Sequence, residues 1–219
     1  MKPTPLVAVL AFAGVLGACG RQADPGRTTI AVIPKGTTHE FWKSIHAGAV
    51  KAAQELDVDV IWRGPLREDD RASQVAEVEG FITRGVSGIV LAPLDEAALV
   101  GPVSDAGRAS IPVVVIDSGL KSSDYVSFVA TDNRKGGRMA ADGLAKLLPK
   151  GGNVAILRYA EGSASTTERE EGFLEEVGRH PGIRVVSSNQ YGGADVEGAY
   201  KKSEAMLHRF RRPDGSISV

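Results

Sequence analysis

The chain has 219 residues, of which 42% are hydrophobic and 24% charged, with 26 Lys and Arg against 27 Asp and Glu. That composition belongs to a globular protein with a folded core and excludes disordered and fibrous classes. The balanced charge carries no basic field of the kind that gathers polyanions, so nucleic acid is not an expected partner.

In chain order, the N-terminus comes first. Lys2 precedes an apolar segment, Leu6 to Leu16, which is too short to span a bilayer as a mature helix and suits the apolar region of an export signal. It ends in Leu16-Gly-Ala-Cys19, where small residues precede the only cysteine of the chain. This tetrapeptide resembles the bacterial lipobox, in which the cysteine is diacylated and becomes the new N-terminus. Residues 1–19 therefore read as a lipoprotein signal with Cys19 as lipidation site; a plain export signal with an accidental cysteine is the alternative. With no other thiol, no internal disulfide is expected. Residues 20–27, small and polar with Pro25, read as a tether outside the fold.

From there strands and helices alternate. Thr28 to Pro34 reads as a strand, and His39 to Leu56 as a helix with Phe41, Ile45, Ala49, Ala52, Ala53 and Leu56 at helical spacing. Val58 to Trp62 is a strand, Arg71 to Arg84 a helix, Gly88 to Ala92 a strand, Asp95 to Ala109 a helix, and Ile111 to Ile116 an unbroken apolar strand. Such a run predicts burial on both faces, as in parallel strands between two helix layers. Strands at Val126 to Ala130, Asn153 to Leu157 and Ile183 to Ser188 continue the series, with helices at Asn133 to Leu148, Thr166 to Gly178 and Asp195 to Arg211. Repeated strand–helix–strand units imply right-handed crossovers and an α/β fold with doubly wound parallel sheets. A domain needs roughly 100 to 150 residues, so the roughly 190 residues after the tether make one complete lobe and most of a second. Asp214 to Val219 begins a further strand with no helix after it, and the chain reads as a fragment.

Ligands of such sheets gather beyond the carboxyl ends of the strands. His39, Phe41 and Trp42 lie past the first strand, Asp117 ends the fourth, and Arg169 follows the sixth, so these positions face one crevice if the lobes face each other. Phosphate-binding loops are not indicated: the Lys-Gly pairs at Lys35, Lys135 and Lys150 reverse the order of the phosphate loop, and no Gly-x-Gly-x-x-Gly follows a strand. His39 and His46 are about two helical turns apart, roughly 10 Å, too far for one metal ion. Gly162-Ser-Ala-Ser-Thr lacks the second glycine of a nucleophile elbow, and Ser163, Ser165 and Thr166 read as caps of the helix carrying Arg169. Neither a nucleophile–base pair nor a cofactor motif emerges.

The remaining set suits binding. An aromatic face takes the C–H face of a polyhydroxylated ring, while carboxylate and guanidinium pair with adjacent hydroxyls. Phe41 and Trp42 supply the aromatics, although Phe41 also has helical core spacing; Trp42, one position round, cannot fully share that face. Asp117 is either a ligand carboxylate or the opening residue of the turn Asp117-Ser-Gly119. Arg169, in Glu168-Arg-Glu-Glu171, is either a ligand or part of a solvated charge run.

At this point a family resemblance enters. Ile30-Ala-Val-Ile-Pro34, Glu40-Phe-Trp42, Gly85 to Pro93, Ile111 to Asp117, Ala130-Thr-Asp-Asn133 with Gly136-Gly137, and Arg169-Glu-Glu-Gly-Phe173, in that order, resemble the type I periplasmic binding proteins related to ribose-binding protein. The resemblance implies two α/β lobes, 28–131 and a partial 132–219 with the first hinge crossing near Thr131-Asp-Asn133, closing on a sugar or polyol, which is presented to an ABC permease; the protein is expected to be monomeric and held in the periplasm or cell envelope by a lipid on Cys19. It also implies that Phe41 and Trp42 form the aromatic pair, that His39 stands where ribose binders have asparagine, and that Asp117 and Arg169 are binding residues. Ser118 departs from the pattern, since ribose binders carry arginine there, and this argues against ribose itself. Tyr191 is the candidate for a further aromatic wall. A ligand sensor feeding a chemoreceptor or sensor kinase is the rival function; a repressor effector domain lacks its helix-turn-helix here, and an enzyme lacks a catalytic pair.

Overall fold

The computed structural model of the chain describes residues 26–213 and 216–217. The expected lipoprotein signal, Cys19 and most of the tether lie outside them. Of the expected last strand only Ser216 and Ile217 are described, and Ile217 forms an isolated antiparallel bridge with Arg211.

Five strands form the first sheet: β1 (Thr29–Ile33), β2 (Asp59–Trp62), β3 (Gly88–Leu91), β4 (Val113–Ile116) and β5 (Ser127–Val129), all parallel in the order β2-β1-β3-β4-β5. The first crossover, through α1 (Glu40–Leu56), runs one way from β1. The crossovers through α2 (Arg71–Arg84) and α3 (Val100–Arg108) run the other way. Right-handed crossovers then place α1 on one face and α2 and α3 on the other. The winding direction reverses between β1 and β3, which opens a crevice beyond their carboxyl ends.

Alternate residues of the central strands, Ala31 and Ile33, Ile89 and Leu91, Val113 and Val115, form one buried face against Val78 and Phe81 of α2 and Val103 and Ala106 of α3. The opposite face departs from the sequence expectation of full burial, since Val90, Val114 and Ile116 are only half-buried. Its helix, α1, packs along the edge strand β2, where His46 stacks on Trp62 with ring centroids 4.6 Å apart. Edge strand β5 leaves Phe128 and Val129 exposed.

Of the boundaries that differ from the periodicity, those of the fourth strand and third helix have clear local reasons. The fourth strand starts at Val113 rather than Ile111 because Pro112 has no N–H to give the ladder. The third helix starts at Val100 rather than Asp95, because Asp95 Oδ1 accepts the N–H groups of Ala97 and Ala98, each at 2.9 Å, and holds a turn.

The second lobe has a parallel pair, β6 (Gly152–Arg158) and β7 (Ile183–Tyr191), with α4 (Asn133–Leu147), α5 (Ala164–Val177) and α6 (Val196–His208). Helices α4 and α5 lie in backbone contact. A Cβ on Gly137 would sit 2.0 Å from the carbonyl oxygen of Arg169, and one on Gly172 would sit 2.1 Å from that of Arg134, so only glycine permits this approach. Among the described residues no helix is long and apolar enough to cross a membrane.

Candidate functional site

A cavity of about 500 Å³ lies between the lobes at the carboxyl ends of the strands. Its most buried charge is Lys35, two residues past β1 at the reversal of strand order and only 3% exposed. Its Nζ lies 3.3 Å from Asp117 Oδ2 and donates to Ser163 Oγ at 3.2 Å and Ser165 Oγ at 3.1 Å. One first-lobe ammonium thus bonds two second-lobe hydroxyls. Burial lowers the Lys35 pKa below the usual lysine value, and the Asp117 carboxylate opposes that shift. Ser163 is the N-cap residue of α5, yet its side chain makes no capping bond; the hydroxyl accepts from Lys35 instead.

Asp117 follows β4 in the left-handed region with φ 62, a conformation that aspartate tolerates better than most residues. Its N–H donates to the carbonyl of Val129 at 3.0 Å, tying this turn to the neighbouring strand.

A second chain of contacts crosses the lobes. Trp42 Nε1 donates to Glu68 Oε1 at 2.7 Å, and Tyr159, the residue after β6, donates its hydroxyl to Glu68 Oε2 at 2.8 Å. Burial first, then the Glu68 carboxylate, raises the Tyr159 pKa far above the ordinary phenol value, because both favour the neutral hydroxyl. Trp42 is only 2% exposed, whereas Phe41, 47% exposed, meets it edge-on with ring centroids 4.9 Å apart. Phe41 is therefore the open aromatic of the pair and Trp42 its buried support, the reverse of the assignment suggested by helical spacing. His39 caps α1, with Nδ1 accepting the N–H of Phe41 at 3.2 Å.

Arg169 projects from α5 into the cavity lining and makes no hydrogen bond or ion pair with any described residue. Its neighbours Arg134, Glu171 and Glu175 pair among themselves instead.

The structure brings His39, Phe41, Trp42, Asp117 and Arg169 to one cavity. Ser118 and Tyr191 are not in its lining. Ser118 is fully buried, its Oγ accepting the N–H of Ser165 at 3.0 Å, so it joins the lobes behind the wall. Tyr191 ends β7 beside Arg158, whose guanidinium lies 5.6 Å from its ring centroid. Arg158 in turn pairs with the largely buried Glu170 at 2.9 Å, and neither residue lines the cavity. Lys35, Glu68, Tyr159 and Ser165 line the cavity without having been singled out as ligands from sequence. Tyr159 was within reach, since the rule that selected Asp117, a polar residue just past a strand, applies equally after β6. One His–carboxylate cluster among the described residues could hold a cation: Asp142, Glu176 and His180, outside the cavity lining, where Glu176 already pairs with Arg179 at 2.8 Å.

The family model described as periplasmic binding protein domain matches residues 30–219. The ribose import binding protein of Salmonella typhimurium is 30% identical over 179 residues, covering 82% of this chain and 58% of that relative. The D-ribose/D-allose-binding protein of Pseudomonas aeruginosa is 34% identical over 193 residues, covering 84% of this chain and 60% of that protein. The crystal structure of a carbohydrate transporter solute binding protein from Agrobacterium radiobacter in complex with D-arabinose is similar with a TM-score of 0.76 and 33% identity, covering 85% of this chain and 63% of that one. The chain thus spans less than two thirds of the length of these relatives.

Proposed function

The chain belongs to the periplasmic binding protein domain family, and from that premise we propose that it is the solute-binding component of an ABC transporter, taking a sugar or polyol between two lobes, 28–131 and 132–219. It acts by closure and release, without turnover. The observation that carries this reading is a cavity whose two walls come from different lobes and present an open phenyl ring, a carboxylate held on its strand end and an unpaired guanidinium. An aromatic face and bidentate polar partners recognise a polyhydroxylated ring. Relatives bearing the names of ribose, ribose/allose and arabinose binders support the solute class.

In the mechanism, solute lies against Phe41, with its hydroxyls between Asp117 on the first lobe and Arg169 on the second. The closed form alone offers both groups at once, so solute shifts the population toward it. Lys35 pairs with Asp117 and holds it in place while reaching the second-lobe serines. The reading includes a monomer in the periplasm or cell envelope, anchored by a diacylated Cys19 and delivering solute to a permease; two acyl chains support stable anchoring.

The test is a thermal-shift and calorimetric screen against pentoses, hexoses, inositols and amino acids. A saturable shift with one sugar or polyol is expected, and it should vanish in Asp117→Ala and in Trp42→Ala. Binding retained in both variants would remove this pocket from the mechanism.

A further inference from the structure

The lobes also meet at a place outside the cavity. Arg71, the first residue of α2, donates Nη2 to the carbonyl oxygen of Glu161 at 2.7 Å, while its Nε lies 3.0 Å from Asp95 Oδ2. Asp95 is held by the two N–H groups of its own turn, so its carboxylate is a fixed post. Over that post sits Gly162 with φ 87; a Cβ there would lie 2.2 Å from Asp95 Oδ2. The carbonyl of Gly162 accepts the N–H of Glu96 at 3.0 Å. The turn at Glu161 and Gly162 is therefore bonded to two separate segments of the first lobe, and neither conformation nor space admits a side chain at 162. None of Arg71, Asp95, Glu96, Glu161 or Gly162 lines the cavity.

We propose that Arg71, Asp95 and the Glu161-Gly162 turn form a clasp that sets the closing equilibrium of the lobes, and with it solute affinity and release rate, without touching the solute. The inference rests on the two-lobe binding reading. Its physical basis is that apparent affinity equals intrinsic affinity scaled by the fraction of molecules in the competent state. None of the clasp residues lines the cavity, so the clasp acts on that fraction and not on the contacts with solute. It is also coupled to the cavity through the chain: Ser163, the residue after Gly162, receives Lys35. An exposed arginine suits the task, because an ion pair in solvent is weak enough to open. A stronger lock would hold the empty protein shut.

The experiment compares wild type with Arg71→Gln, Gly162→Ala and, as control, Arg63→Gln, whose partner Glu77 at 2.8 Å is in the same lobe. Small-angle X-ray scattering without solute reads the closed fraction; calorimetry and stopped-flow with D-ribose, D-allose and D-arabinose read affinity and release. Circular dichroism confirms that each variant is folded, and Arg71→Gln leaves the backbone undisturbed should Gly162→Ala unfold. Arg71→Gln and Gly162→Ala are expected to enlarge the radius of gyration and to weaken binding about threefold to tenfold with faster release, the range for an exposed charge-assisted contact. Arg63→Gln should change neither. A folded Arg71→Gln variant with the scattering curve of wild type overturns the clasp. If no sugar binds wild type, the solute assignment fails separately, and the scattering still decides the clasp.

Discussion

On the first-lobe wall of the cavity, Lys35, Trp42 and Glu68 have their polar groups engaged by protein, whereas on the second-lobe wall the Arg169 guanidinium makes no hydrogen bond or ion pair with a described residue. Lys35, Trp42 and Glu68 of the first wall are held by protein partners, including Ser163, Ser165 and Tyr159 of the second lobe, while Phe41 stays open to solute. The second wall keeps an exposed cation whose guanidinium makes no hydrogen bond with a described residue. Preorganisation on one side and an open donor on the other divide the work: one wall sets the shape that a solute must match, and the other contributes bonds that form only on binding. The same division predicts that substitutions on the first wall damage stability and binding together, while those on the second separate the two.

The largest effect belongs to Trp42→Ala. Removing a 2% exposed indole that also bonds Glu68 should cost about 3–5 kcal/mol in urea unfolding, together with loss of the solute-induced thermal shift. A cost within experimental scatter would mean that the first wall is not held by its protein partners as described. Asp117→Ala comes next: it leaves the Lys35 ammonium buried without its carboxylate, at about 2–3 kcal/mol given that Asp117 keeps some solvent contact. Adding Lys35→Met to that variant should recover part of the stability but none of the binding, and calorimetry of the pair checks it.

Tyr159→Phe is smaller, about 1 kcal/mol for the lost bond to Glu68, and it has a pH signature. The folded Tyr159 pKa is raised above the free value of 10.0. Its stabilising contribution is therefore complete below that value and is lost as pH rises toward the folded one, because the unfolded chain releases the proton first. In an absorbance titration of the four tyrosines, one should ionise late, and Tyr159→Phe should delete that late component. The smallest effect on stability belongs to Arg169→Gln, within about 0.5 kcal/mol for a surface side chain without protein partners. The same variant should weaken solute binding about tenfold, the loss of a charge-assisted contact. A stable variant with wild-type affinity would show that the free guanidinium is not a ligand.

Much of the fold is legible before any coordinates. The apolar cores of β1, β3 and β4 and the helical periods of α1, α2 and α4 lie where the sequence predicts, because each pattern is local and repeats within one element. The late start of α3 was not legible, since a single aspartate turned the chain before the helical pattern could take hold. Among the cavity residues, Asp117 was legible as the polar end of an apolar strand, but its left-handed backbone was not. Lys35 was read only as the wrong half of a phosphate loop. Its partners Ser163 and Ser165 lie 128 and 130 residues away, and nothing near Lys35 in the chain marks them. Ser163 looked like a helix cap for the same reason: local propensity assigns its hydroxyl to the helix, and a buried ammonium from the other lobe took it.

The sequence alone determined which segments become strands and helices and which strand ends carry polar residues, because those choices depend on alternation, capping and turn chemistry within a few residues. Only the tertiary structure decided which of the two adjacent aromatics stays open, that Tyr191 turns to Arg158 rather than to the cavity, and that a lysine and a glutamate hold the two lobes together. Those outcomes depend on desolvation and on partners far away in the chain, and a buried charge or hydroxyl takes whichever partner the opposing surface brings within reach.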